Sequence, residues 1–218
     1  MAARGARHRH HPAAPGRAHL RPAAPAARHH RRDPYAAFDR AALHRLLGRL
    51  DGVRVRPPGR EEEYSNLGYA VLGEALSRAA GTSYEELLAT HVLRPLDVHE
   101  VSARPAAADR LLAPGLLGRP RRPWTMTGAI LPAGGLWATP RAVADLLVRL
   151  VVERRLGTPA PSWQRSGRLY WHNGATRHAS VFAGAAPGGG WAVVHRLGGD
   201  PERTDRAGID ALRGTGSR

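Results

Sequence analysis

The sequence of 218 residues contains no cysteine and no lysine, since all 33 of its basic residues are arginine. Without cysteine, neither a disulfide framework nor a thiolate metal site can form. Without lysine, the chain has no side-chain amine that could act as a general base. Arginine cannot replace it, because a guanidinium group stays protonated in proteins.

Long apolar runs are also missing. No segment approaches the roughly 20 apolar residues that a membrane-spanning helix needs. The N-terminus lacks the apolar core of a secretory signal. The default expectation is a cytoplasmic protein, although an export signal lost with the N-terminal part of a longer protein would leave the same pattern.

Acidic residues are absent from residues 1–32, which hold eight arginines and otherwise consist almost entirely of Ala, His, Pro and Gly. Such a segment cannot bury enough apolar surface to offset its ordering entropy, so we expect a disordered tail. Its arginines could bind phosphate groups. Two histidine clusters could bind a transition metal: His8, His10 and His11, and His29 and His30. We favour a third interpretation, a tail without function, because GC-rich DNA read out of frame yields this composition.

Helical patterns begin after the tail. Apolar residues recur at helical spacing from Leu67 until Gly81 stops the pattern, which predicts a central helix. Thr82 and Glu85 stand at capping-box spacing and predict the start of the next helix. Further along, Thr139 is a candidate N-cap in front of another amphipathic pattern.

The last third of the sequence has a different pattern. Segments 168–171, 178–185 and 191–197 are short and rich in aromatic and β-branched residues, which predicts strands. Gly174 and the Pro-Gly run after Ala186 are interpreted as turns between them, and residues 203–213 as a closing helix. We predict an α+β fold with a mainly helical region at 33–156 and a small antiparallel sheet with a terminal helix at 166–213. Together they form one domain, residues 33–218, behind the tail.

Four short stretches carry the functional pattern: Tyr64–Tyr69, Leu93–Leu96, Ala133–Thr139 and His172–Gly174. Taken alone, each has an ordinary structural interpretation, such as a helix cap or a histidine on a strand surface. Their order and spacing resemble the serine β-lactamase and penicillin-binding-protein-like family. They are nearest to its class C β-lactamase, D-alanyl-D-alanine carboxypeptidase and esterase branch.

The resemblance implies acyl transfer through a serine nucleophile, with no cofactor and no metal. Tyr64 would take the position of the family's proton-moving tyrosine, which needs a depressed pKa or a hydrogen-bonded relay. Asn66 would bind the substrate amide. His172 replaces the commoner lysine and would orient Tyr64 or a substrate carboxylate. Gly174 would keep the strand edge clear, so that the N–H of Ala175 can donate to the oxyanion.

One part of the family pattern is missing. The family's nucleophile lies in a Ser-x-x-Lys motif before Tyr-x-Asn, whereas the first serine of this chain is Ser65. Ser162 and Arg165 have the motif's spacing but follow the tyrosine, and arginine cannot accept a proton. We therefore expect a truncated, β-lactamase-related serine hydrolase that is inactive alone. We also expect an unpaired sheet edge and an exposed apolar flank on the central helix.

Two other functions are left open. A non-catalytic module could bind peptides or acyl ligands in the same cleft. A nucleic-acid binder could use the arginine-rich tail, but the tail has no aromatic residues between its basic ones, which disfavours this function. Among acyl substrates, the sequence does not distinguish a lactam, a D-Ala peptide and an ester. It gives no indication of the oligomeric state.

Overall fold

The computed structural model describes residues 33–49, 64–159, 162–186 and 189–215. The tail of residues 1–32 and its expected disorder lie outside the described residues. The five α-helices of the described part are α1 (Arg40–Leu47), α2 (Asn66–Ala80), α3 (Tyr84–Leu88), α4 (Pro140–Leu147) and α5 (Pro201–Thr215). Single π-helical turns extend α3 (Ala89–Leu93) and α4 (Val148–Val152). No helix in these ranges is long and apolar enough to span a membrane.

The strands form two antiparallel sheets. Short strands β1 (Val101–Ser102) and β2 (Trp137–Ala138) pair with each other. The main sheet has the order β3-β4-β5-β6, from Gln164–Ser166, Leu169–Ala175, Ala179–Ala185 and Trp191–Leu197. The predicted α+β class with a small antiparallel sheet is thus confirmed.

The main sheet and α5, here called the sheet layer, share one apolar core. Phe182 on β5 is fully buried, and its ring stacks on Trp171 of β4 at a centroid distance of 5.8 Å. The helix lies close to this ring, because a Cβ atom on Gly208 would stand 2.1 Å from it. The buried core comprises Trp171, Phe182, Ala192, Ile209 and Leu212. The other face of the sheet packs on α4 and its π-helical turn through a second cluster around Leu147.

The helices α1 and α2 and the 3-10 helix Gly128–Ala133, here called the helical layer, pack around Leu43, Ala70 and Ile130. Glu74 of α2 joins the two helices, since its Oε1 atom accepts hydrogen bonds from Arg40 and His44 of α1. In contrast, Leu72 is 50% exposed and Leu76 48% exposed. The expected apolar flank of the central helix is therefore present on the surface.

Two local predictions are confirmed and two are wrong. Gly81 ends α2 in a left-handed conformation (φ 65°), and Thr139 caps α4 by accepting a hydrogen bond from Ala142 N–H at 3.2 Å. The N-cap of α3 is Ser83 rather than Thr82. Gly174 is not a turn residue, because it lies inside β4 and pairs with Val181.

Candidate active site

Tyr64 stands immediately before the first residue of α2. The helix begins here because the Ser65 side chain accepts a hydrogen bond from the N–H of Gly68 at 3.1 Å, which satisfies one of the unpaired donors of the first turn. The Tyr64 ring is 43% exposed and lies 5.7 Å, between centroids, from the ring of Tyr69 one helical turn later. The helix cap thus holds the phenol at the mouth of the helix.

His172 lies on β4, on the face of the sheet that packs on α4. Because side chains alternate along a strand, its neighbour Trp171 points to the opposite face, where it packs on α5. The imidazole lies 6.4 Å, between ring centroids, from Tyr64 and 6.1 Å from Trp163. The structure therefore brings together the two residues that the sequence names as catalytic candidates, although 108 positions separate them in the chain.

The protonation of His172 follows from its neighbours. Its Nδ1 atom lies 3.2 Å from the carbonyl oxygen of Ser162. A carbonyl can only accept, so Nδ1 carries the proton and Nε2 of the neutral ring is an acceptor. Burial lowers the pKa of His172, and the bond to Ser162 offsets only part of that effect. Near neutral pH the ring is thus uncharged and can accept a proton at Nε2.

The pKa of Tyr64 is not depressed, so this way of activating the phenol, one of the two that the resemblance implies, is not found. Burial, followed by the neighbouring hydroxyl groups of Tyr69 and Tyr35, raises the pKa of Tyr64. The hydroxyl is therefore protonated at neutral pH and acts as a donor. A nearby cation would depress a phenol pKa, but every neighbour that acts on Tyr64 raises it, and the chain contains no lysine.

Asn66 is the first residue of α2, two positions after Tyr64. Its Nδ2 atom donates a hydrogen bond to the hydroxyl of Tyr35 at 2.8 Å. The sequence did not single out Tyr35, since no local pattern connects it with a residue 31 positions later. Trp163, which contacts His172, was missed for the same reason. Both flank the site through tertiary packing alone.

Gly174 and Ala175 follow His172 at the end of β4. They pair with Val181 and Ser180 of β5, while β3 pairs only with residues 169–171. Within the described sheet, the other edge of β4 is therefore open at Gly174 and Ala175, and both residues are exposed. Their neighbour Asn173 points to α5, where its Nδ2 atom donates to Asp205 at 2.7 Å.

The described residues contain no group of three or more His, Cys, Asp or Glu side chains that could hold a metal ion. The polar groups around Tyr64 are instead a phenol, an imidazole and a carboxamide. These groups can donate and accept hydrogen bonds and move a proton, but none of them is the serine hydroxyl that the resemblance implies as the nucleophile.

The structure thus combines a mixed helix-and-sheet fold with a tyrosine at a helix mouth beside a histidine on a strand. The family model Beta-lactamase matches residues 20–207. The chain therefore belongs to the Beta-lactamase family.

Relatives and solved structures agree with this assignment. Beta-lactamase-like protein 2 of Dictyostelium discoideum is 30% identical over 122 residues, which are 53% of this chain and 22% of that protein. D-alanyl-D-alanine-carboxypeptidase/endopeptidase AmpH of Escherichia coli K12 is 31% identical over 83 residues, 38% of this chain and 21% of AmpH. The match thus spans about a fifth of each curated relative.

Among solved structures, D-alanine carboxypeptidase AmpC from Burkholderia cenocepacia superposes with a TM-score of 0.60 at 16% identity. The superposition covers 79% of this chain and 66% of that one. At this identity the likeness shows a shared fold, the β-lactamase/transpeptidase fold. It confirms the predicted architecture, and the family model confirms the predicted family.

Proposed function

We propose that these 218 residues carry one part of an acyl-transfer site and that they do not form an acyl-enzyme by themselves. This part has two sides, here called walls: Tyr64 and Asn66 at the mouth of α2, and His172, Gly174 and Ala175 on β4. The observation that carries this proposal is the contact between Tyr64 and His172, in a chain whose sequence contains no Ser-x-x-Lys motif. The chain would then be a truncated serine hydrolase of the Beta-lactamase family. Its intact counterparts would hydrolyse a lactam, a D-Ala peptide or an ester.

The serines near the two walls have other roles. Ser65 caps α2, and its hydroxyl oxygen accepts the N–H of Gly68. Ser162 contacts His172 through its backbone carbonyl oxygen. Neither serine is followed three positions later by a lysine, since those positions hold Gly68 and Arg165. A serine hydroxyl without a base beside it is a weak nucleophile. Tyr64 and His172 would therefore supply acid–base groups without an alcohol for them to activate.

Hydrolysis of nitrocefin and of p-nitrophenyl acetate tests this proposal. We expect the wild-type chain and Tyr64→Phe to hydrolyse both substrates at the same slow rate, because groups that stabilise an oxyanion give only residual assistance to water when the nucleophile is absent. Turnover by the wild-type chain that Tyr64→Phe abolishes would refute the proposed inactivity. A second preparation made with His172→Gln guards against a contaminating hydrolase, since such activity would survive both substitutions.

A second candidate function is a non-catalytic module that binds peptide or acyl ligands. It is favoured by the hydrogen-bonding groups that surround Tyr64: its own O–H, the unprotonated Nε2 of His172, and the carboxamide of Asn66. AmpH, a D-alanyl-D-alanine-carboxypeptidase/endopeptidase, suggests acetyl-D-Ala-D-Ala as the probe. Titration of this probe should shift the backbone amide resonances of Gly174 and Ala175. Unchanged resonances up to millimolar probe would rule the module out.

The arginine-rich tail offers a third candidate function, nucleic-acid binding. The proposal also divides the chain into this tail, residues 1–32, and a domain of residues 33–218. Deletion of residues 1–32 should leave the midpoint of thermal unfolding unchanged. The full chain should bind duplex DNA only weakly at physiological salt. Tight, salt-sensitive binding that the deletion removes would instead assign the function to the tail.

A further inference from the structure

The segment of residues 113–121, here called the leucine loop, contains no residue of either wall. Its two sides pair with each other, because Pro114 and Pro120 form an antiparallel bridge and further backbone hydrogen bonds join the two sides. At the base of the loop, Ala113 is buried. The closed end is the 3-10 turn Leu116–Gly118. The leucine loop is therefore a small hairpin that is fixed at its base and holds its closed end away from the core.

Two adjacent leucines form the tip of this hairpin. Leu116 is 84% exposed and Leu117 is 89% exposed, the highest fractions among the large apolar residues that the structure describes. Leu117 also has a left-handed backbone (φ 56°, ψ 31°), a conformation that is unfavourable for a residue with a Cβ atom. A single exposed leucine is ordinary. Two neighbouring leucines on a fixed, strained turn form an apolar tip that has no partner among the described residues.

Arginines surround this apolar tip. Arg119, Arg121 and Arg122 are all exposed, and the sequence has no aspartate or glutamate from residue 110 to residue 144. Within the described ranges, the ion pairs involve neither Arg119 nor Arg122. The Arg121 side chain folds back on the hairpin, where its Nε atom donates to the carbonyl oxygen of Pro114 at 3.1 Å. The hairpin thus combines an apolar tip with a positively charged base.

The positive charge continues onto the turn between β4 and β5. Burial, followed by the positive charges of Arg121 and Arg177, lowers the pKa of His178. Since Arg121 belongs to the leucine loop and the other two residues to the turn, the two elements lie close together. Charges from two separate parts of the chain therefore add up beside the leucine tip.

An apolar tip above a basic base matches the surface of an anionic lipid bilayer. Leucine side chains can enter the boundary between headgroups and acyl chains, while guanidinium groups remain at the level of the phosphates. Each basic residue near such a surface adds to the attraction. A nucleic acid would bind the arginines but leave both leucines in water, and the loop has no aromatic side chain for base stacking. The lipid surface accounts for both features.

We propose that the leucine loop is a membrane-contact element, in which Leu116 and Leu117 insert into the interfacial layer of an anionic phospholipid bilayer while Arg119 and Arg122 bind its phosphate groups. This inference is independent of the proposed acyl-transfer site. It assigns the chain a partner and names the surface that meets it.

A fluorescent label tests insertion directly. The chain has no cysteine, so Leu116→Cys creates a single position for an environment-sensitive dye such as NBD on the full-length chain. Vesicles of phosphatidylcholine and phosphatidylglycerol should shift the dye emission to the blue, because the tip leaves water. The matched control is Leu72→Cys on α2, another exposed leucine, whose label should not respond. Both labelled chains keep residues 1–32, so binding by the tail alone would not separate them.

Partition onto the same vesicles, measured by co-sedimentation, tests the residues. Leu116→Ser/Leu117→Ser should weaken partition about fivefold or more, because its apolar insertion is lost. Arg119→Gln/Arg122→Gln should weaken it about tenfold or more.

Two control variants separate the leucine loop from general effects of composition and charge. Leu72→Ser/Leu76→Ser should change partition by less than about twofold, since these leucines lie outside the loop. Arg141→Gln/Arg168→Gln removes the same charge elsewhere and should cost less than about threefold. Inorganic phosphate should leave the emission of the Leu116→Cys label unchanged, because a free anion offers no apolar layer.

The inference is overturned if vesicles leave the Leu116→Cys label unchanged or shift the Leu72→Cys label equally. It is also overturned if the arginine pair weakens partition while the leucine pair does not, since the attraction is then electrostatic alone. An equal shift with duplex DNA would assign the surface to nucleic acid instead. Blue-shifted emission before vesicles are added would mean that a second copy of the chain covers the tip.

Discussion

His172 stands on a strand that is buried from two sides, whereas Tyr64 precedes a helix with two exposed leucines. On one side of β4, Trp171 and Phe182 stack beneath α5, and on the other Leu147 packs under the sheet. In the helical layer, α2 buries only Ala70 and Gly73. The imidazole side of the candidate site is thus supported on both faces of a sheet, and the phenol side is supported by the helix cap, by the contacts of Glu74 and by the cluster around Leu43, Ala70 and Ile130. The difference predicts where substitutions unfold the chain and where they do not.

The largest effect should come from Phe182→Ala in the sheet layer. The ring is fully buried, and α5 approaches it so closely at Gly208 that a Cβ atom there would clash with the ring. Removal of a buried phenyl ring costs about 3–5 kcal/mol of unfolding free energy. Urea denaturation followed by circular dichroism measures this cost. Leu72→Ala on the helical layer is the matched control, and an equal loss there would contradict the difference between the two layers.

Glu74 provides a test of the helical layer by pH. Hydrogen bonds from Arg40 and His44, helped by Arg78 and opposed by burial, lower the pKa of Glu74 from 4.5 to about 2. A depressed carboxylate pKa stabilises the fold above the unfolded value, and the contribution is lost as the pH falls from 4.5 toward 2. Because the arginine partners are exposed, we expect a loss of about 1 kcal/mol.

The matched variant Glu74→Gln should lower the unfolding free energy at pH 7 by a similar amount. Its stability should then fall less steeply than that of the wild type over the acidic window in which Glu74 is protonated. A wild-type curve with the same acid slope as the variant would show that Glu74 does not join α1 to α2 in solution.

Protonation of His172 should also lower the unfolding free energy as the pH falls, by less than protonation of Glu74 does. Burial lowers its pKa below 6.5, so the unfolded chain binds more protons just below that pH. Stability due to the neutral ring is complete above pH 6.5 and is lost as the pH falls through the lower, folded pKa. Titration of the ring protons by NMR should give a value below that of a free histidine. A value at or above 6.5 would mean that the imidazole is not enclosed beside Trp163.

The smallest change in stability should follow from replacing both exposed leucines of α2 by serine. Each side chain is about half exposed, and substitutions away from the core usually lie within about 0.5 kcal/mol. The double variant should bind less of an apolar dye such as anilinonaphthalene sulfonate and should aggregate less. Unchanged dye binding together with a large loss of stability would mean that this face is covered in solution.

Sequence reasoning succeeded where the determining interactions are local. Gly81 at the end of α2 and Thr139 at the start of α4 act within four residues of their own positions, so the pattern predicts them. The cap of α3 was assigned one residue too early because Thr82 and Ser83 are both good caps. The strand segment 191–197 coincides with β6, since its alternation is strong and a turn signal precedes it.

Non-local pairing accounts for what the sequence did not predict. β3 consists of three residues, Gln164–Ser166, without an apolar pattern, and it is a strand only because β4 offers it an edge. Gly174 looks like a turn residue, yet β5 holds it in the ladder. Tyr35 reaches Asn66 across 31 positions. The motif positions Tyr64 and His172 came from a family pattern, and their contact required the fold.

The central claim is that the chain keeps two walls of an acyl-transfer site and lacks the alcohol that attacks the substrate. Intact-mass spectrometry after incubation with excess benzylpenicillin tests it most directly, because an acyl-enzyme retains the whole opened lactam. We predict an unchanged mass for the full-length chain. A mass increase of one penicillin, localised by peptide mapping to Ser65 or Ser162, would contradict the claim.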